Sequence, residues 1–68
     1  MKKELIGLVG KEASVNHSPT LRAKLVEVYD TNCLWQVTPN HYGEGGNDMV
    51  GASFLLPLSW SLNCFYGV

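Results

Sequence analysis

His17, Cys33, His41 and Cys64 are the residues of this chain with the widest chemical repertoire. Four ligands of those two types can close a structural zinc site, and a thiol beside an imidazole can make a nucleophile. The spacing supports neither use. The chain has no Cys-x-x-Cys pair and no closely spaced His pair, so a metal site would have to be assembled by tertiary geometry alone. Cys33 and Cys64 sit in apolar stretches, which favour the neutral thiol over the reactive thiolate. Both are expected to be reduced, small, buried apolar residues, and no cofactor or metal is implied.

The second concentration of chemistry is the stretch 39–48, PNHYGEGGND. Its three glycines and polar composition exclude regular structure, and a long loop in a small domain is a natural place for function. Glu44, Asn47 and Asp48 could touch a cation, although their spacing is not that of an EF-hand loop. His41 with Glu44 could form an acid–base pair, but no nucleophile or phosphate cradle accompanies them. Asn40, His41, Tyr42, Glu44 and Asp48 are better suited to contacting a protein partner, with His and Tyr as amphipathic contact groups.

Charge narrows the classes further. The net charge is −1, which argues against binding nucleic acid through many phosphates. All five bases lie in the first 24 residues against two acids, a net of +3, and the remainder carries four acids and no base, a net of −4. Lys11, Arg22 and Lys24 are therefore the candidates for a nucleic-acid face, the alternative to protein binding.

From residue 49 to the end, twenty consecutive positions carry no Asp, Glu, Lys, Arg or His. That is about the length needed to span a bilayer, yet Pro57, Asn63, Ser53, Ser59, Ser61, Gly51 and Gly67 interrupt it. The N-terminus has two lysines and an apolar run over 5–10, shorter than the seven to fifteen or so residues of a secretory signal. A cytoplasmic protein with no membrane association is expected.

The elements that must position these residues read as strands. One domain spans 1–68, and no stretch sustains helical apolar spacing over a dozen residues. Strands are expected at 5–9, 11–16, 21–29 and 33–38, with a bulge where the alternation shifts at Leu25 and Val26. Cys33, Trp35 and Val37 share one face of their strand, which makes Trp35 the core aromatic. The next strand, 49–56, is stopped by Pro57; a short strand or a single 3₁₀ turn at 58–62 leads to a last strand at 63–66. Phe54, Leu55, Trp60, Phe65 and Tyr66 offer more apolar surface than so small a core can take in. Such surplus marks association, so these five are the expected oligomer interface.

"GKEASV" as a first strand, "LRAKLVEVYD" and "CLWQVT" as a central hairpin, and "GASFLLPLSWSL" as strand, proline and turn resemble the SH3-like small barrels over roughly residues 8–66. The resemblance implies an all-β, five-stranded SH3-like barrel with a short 3₁₀ turn before the last strand. Families of this layout include translation and transcription modules, Sm-like RNA binders, peptide-binding signalling domains and plasmid-type dihydrofolate reductases, so fold does not select function. The reductases line a tetramer pore with Val-Gln-Ile-Tyr-Pro; Ser53-Phe54-Leu55-Leu56-Pro57 keeps the proline and lacks the Gln and Tyr. The expectation is a non-enzymatic, self-associating module that binds another protein, of a size common among phage and mobile-element accessory proteins. The alternatives are a nucleic-acid binder and a small oligomeric enzyme with its site on a symmetry axis.

Overall fold

The computed structural model describes residues 1–15, 21–39 and 49–66. It is an open antiparallel sheet with one covered face. Helix α1 (Lys2–Ile6) is followed by strands β1 (Glu12–Ser14), β2 (Arg22–Val28), β3 (Asn32–Thr38) and β4 (Ser53–Pro57) and by helix α2 (Leu58–Tyr66). The strands pair in chain order, β1-β2-β3-β4, so β1 and β4 are the two edges. Both helices pack on the same side as the buried core residues.

This overturns the five-stranded SH3-like barrel and the all-β assignment. Closure would have needed strands at 5–9 and 63–66, and both segments turn into helix or turn. At the N-terminus the apolar residues work at a spacing of three. Leu5 is buried and Leu8 packs against the core, while Ile6 and Val9 face solvent. Backbone bonds from Leu8 N–H to the Leu5 carbonyl and from Lys11 N–H to the Leu8 carbonyl, 2.9 and 3.0 Å, continue the turns toward β1.

The expected 3₁₀ turn and last strand are one continuous helix, α2, beginning directly after Pro57. Proline lacks a backbone donor, and none is needed at a helix start. Leu58, Ser61, Leu62 and Phe65 make the inner face at i, i+3, i+4 and i+7. A two-residue alternation of Leu58, Trp60 and Leu62 would place Trp60 inside, but Trp60 faces solvent.

The central hairpin matches its expectation. β2 and β3 pair from Arg22↔Thr38 to Val28↔Cys33, with a register shift between Leu25 and Glu27. Val26 is the extra residue and is exposed; Val28 returns to the core side. Cys33, Trp35 and Val37 are buried on one face of β3.

Trp35 is the centre of the core. It is wholly buried, and its indole Nε1–H donates to Ser61 Oγ at 2.9 Å, joining β3 to α2 across 26 positions of sequence. Its rings stack against Phe54 of β4, centroids 6.4 Å apart and 8° from parallel, and against Phe65 of α2, 5.4 Å and 30°. These are the offset separations at which aromatic pairs attract. Ala13, Val15, Ala23, Leu25 and Cys33 complete the layer beneath the helices.

Each edge strand is preceded, two residues before its start, by a glycine with φ of 93°, Gly10 before β1 and Gly51 before β4. Gly51 N–H donates to the Val37 carbonyl and Val37 N–H to the Ala52 carbonyl; Gly10 N–H donates to the Leu25 carbonyl and Leu25 N–H to the Lys11 carbonyl. In each case two residues of the edge oppose one of the inner strand, the arrangement of a glycine bulge. A Cβ at either position would meet no atom within 4 Å, so the demand is on backbone conformation alone. At the far end of the hairpin, Lys2 Nζ donates to Asp30 Oδ1 at 2.7 Å, tying α1 to the β2–β3 turn and holding the Asp30 carboxyl below its usual range.

Two stability measurements test this account. Ser61→Ala leaves a buried indole donor unpaired and is expected to cost about 1–3 kcal/mol in denaturant unfolding. Gly51→Ala is expected to cost about 1–2 kcal/mol through its left-handed backbone, while Gly7→Ala, at φ −69°, is neutral or stabilising.

Candidate functional site

The helices cover one side of the sheet, so the other side is built from the residues that strand alternation turns outward. From the paired registers these are Glu12 and Ser14 on β1, Arg22, Lys24 and Glu27 on β2, Asn32, Leu34, Gln36 and Thr38 on β3, and Ser53, Leu55 and Pro57 on β4. The surface divides into a polar part around β1 and β2 and an apolar row at Leu34 and Leu55.

In the polar part, Arg22, Ser14, Glu12 and Thr38 are linked across β1, β2 and β3. Arg22 Nη1 donates to Ser14 Oγ at 3.2 Å, and its Nε lies 3.7 Å from Glu12 Oε1, which also accepts from Thr38 Oγ1 at 3.1 Å. Nε has no acceptor in hydrogen-bonding geometry among the described residues, so Glu12 compensates its charge without bonding it. Lys24 stands opposite Glu12 in register, and Lys11 immediately precedes Glu12 in the chain. Just past the end of β2, Tyr29 Oη donates to Glu27 Oε2 at 3.2 Å, and this bond raises the Tyr29 hydroxyl's pKa from its ordinary value.

The fold therefore brings Arg22 and Lys24 to one face, as alternation requires, but sets Glu12 and Glu27 among them. Of the bases on this face, Arg22 is the one with an ion pair among the described residues. A phosphate approaching Arg22 would compete with a carboxylate and a hydroxyl already in place, which is a poor basis for counterion release.

The five residues expected at an oligomer interface separate into two groups. Phe54 and Phe65 are half-buried on either side of Trp35 and belong to the core stack. Leu55, Trp60 and Tyr66 are 56%, 57% and 57% exposed. Leu55 projects from the middle of β4 onto the open face, beside Leu34 of β3; Trp60 and Tyr66 lie off the inner face of α2. Leu34 was not among the residues expected at an interface, although the alternation that turns Cys33, Trp35 and Val37 inward turns it outward. The signal was there: an outward leucine between Asn32 and Gln36.

The loop residues Asn40, His41, Tyr42, Glu44 and Asp48 lie outside the described residues. Among the described residues no cluster of three His, Cys, Asp or Glu side chains could hold a metal ion. No disulfide joins Cys33 and Cys64; Cys33 is fully buried and Cys64 half-buried against the core. No helix among the described residues is long and apolar enough to cross a membrane.

Comparison with protein-family models, with curated proteins and with solved structures finds no match.

The division between core and surface aromatics is measurable. Phe54→Ala and Phe65→Ala are expected to cost about 2–4 kcal/mol as core truncations. Leu55→Ala and Trp60→Ala should stay within about 0.5 kcal/mol of wild type. Circular dichroism through a urea titration checks both.

Proposed function

We propose that this chain is a non-enzymatic interaction module that self-associates and presents an apolar surface to a protein partner. The observation that carries the reading is the exposure of Leu55, Trp60 and Tyr66 within one uncharged stretch, β4 and α2, while Phe54, Leu62 and Phe65 of the same stretch pack into the core. The inner faces of β4 and α2 are already committed to that core. The outward residues make no contribution that a serine or lysine could not make in a purely internal role.

Small size supports the same conclusion. A chain of 68 residues buries only about 60% of the surface its unfolded form exposes, and partner subunits are a common supplement to so small a core. The side chains with catalytic potential among the described residues do not converge. Cys33 is enclosed, and the carboxylates Glu12, Glu27 and Asp30 are each engaged with a neighbour on the surface.

Sedimentation velocity over a concentration series tests the reading. The wild type is expected to shift from monomer to dimer or a higher symmetric oligomer, with little change between low and high salt because apolar burial is not screened. Leu55→Ser together with Trp60→Ser should move the transition to higher concentration. A wild-type protein that remains monomeric throughout overturns self-association, and steep loss of a nucleic-acid complex with salt would favour the alternative.

A further inference from the structure

We propose that the self-associating partner is a second copy of this chain paired antiparallel along the free edge of β4, with a two-fold axis at Leu55, so that two four-stranded sheets become one. The inference rests on the self-association reading and specifies its geometry.

Backbone direction is the first support. Val37 faces the core, and both of its peptide groups are used toward β4, to Gly51 and Ala52. In antiparallel strands these directions alternate from residue to residue. Core-facing Cys33 and Trp35 thus turn theirs toward β4 as well, and their register partners Leu56 and Phe54 answer them. The remaining groups of β4 are thereby fixed: the N–H and C=O of Ser53 and Leu55 point away from β3, while the Pro57 carbonyl is in place to accept the first bond of α2. No strand among the described residues meets those of Ser53 and Leu55.

The second support is the contrast between the two edges of the core. At β1 the layer ends in small, buried residues, Ala13 and Val15. At β4 it ends in Phe54 and Leu56, which are only half-buried although both pack against the core. The hydrophobic layer is finished on one side and continues to the boundary on the other.

The unpaired peptide groups demand a strand as occupant, and the residues of β4 select its own copy. A two-fold axis at Leu55, the middle of the five-residue strand, sets Leu55 against Leu55 and exchanges both of their backbone bonds. Phe54 comes beside the partner's Leu56 on the core side, and on the open face the Leu34–Leu55 row doubles. Pro57 falls opposite Ser53, so its missing N–H weakens the ends of the ladder and leaves the centre intact. No charge occurs from 49 to 66, so symmetric pairing opposes no like charges, and the charged residues that usually blunt an edge strand are lacking.

Amide hydrogen exchange on the wild-type protein, read by NMR at two concentrations spanning the sedimentation transition, separates the outcomes. The Leu55 and Ser53 amides are expected to exchange about tenfold or more slowly in the associated state, while Phe54 and Leu56, already bonded to β3, change less. In a sample mixing isotope-labelled and unlabelled chains, contacts between the Phe54 ring and Leu56 methyls of different copies should be seen. Leu55→Lys should lower association at low salt. Association with fast Leu55 exchange, or with contacts only at Trp60 and Tyr66, overturns edge pairing and leaves self-association standing. A protein monomeric at every concentration overturns both.

Discussion

The hydrogen bond from the Trp35 indole to Ser61 is the constraint around which the rest of the molecule is arranged. Trp35 stands in an inner strand of an open sheet, facing the side on which the helices pack, and brings a polar N–H into a layer otherwise made of Ala, Val, Leu and Cys. A donor in that position must be satisfied from above. Ser61 does this from the inner face of α2, and the same contact fixes the rotation of that helix about its axis. With Ser61 inward, Leu58, Leu62 and Phe65 are brought onto the core, and Trp60 and Tyr66 are turned away from it. The exposed apolar surface is thus a consequence of how the core satisfies one polar atom.

The sheet edges carry the second constraint. A meander of four strands has two unpaired edges, and closing it into a barrel would remove them. Here α2 packs beneath the sheet against β1, β3 and β4, and residues that could have supplied a closing strand are in the helix. The glycine bulges at Gly10 and Gly51 shape the entrance to each edge in the same way, but the two edge strands are built differently. β1 is short and carries Glu12 outward, whereas β4 is uncharged and places its bulkiest residues at the boundary of the core.

Electrostatics has a local role in this fold. Of the ion pairs among the described residues, Lys2–Asp30 joins the basic first part of the chain to the acidic remainder, while Arg22 meets Glu12, which belongs to the same first part. These pairs are on the surface, where each contributes little to stability. On the outer face of β1 and β2, Arg22 and Lys24 stand among Glu12 and Glu27, whereas β4 and α2 carry no charged side chain.

Much of the centre of the fold was legible in the sequence. The β2–β3 hairpin, the bulge after Leu25, the inward set of Cys33, Trp35 and Val37, and the end of the last strand at Pro57 arise from alternation and turn chemistry, which are local properties; the start of that strand, at Ser53 rather than 49, does not. The apolar excess of the last twenty residues was legible too, though not which of them were surplus. Three things required the tertiary structure. Residues 2–6 and 58–66 fold as helices because Leu5 and Leu8, and Leu58, Leu62 and Phe65, meet the core at helical spacing; over such short stretches a two-residue period fits nearly as well. Ser61 could not be read as a core residue, since a polar side chain interrupts an apolar face until the buried donor it satisfies is known. The openness of β4 depends on which strands become neighbours. Local sequence determined where the chain turns and which side of a strand is apolar, while the packing of Trp35 decided which aromatics are inside and the order of strands decided which edge is left free, because both are set by contacts between residues distant in sequence.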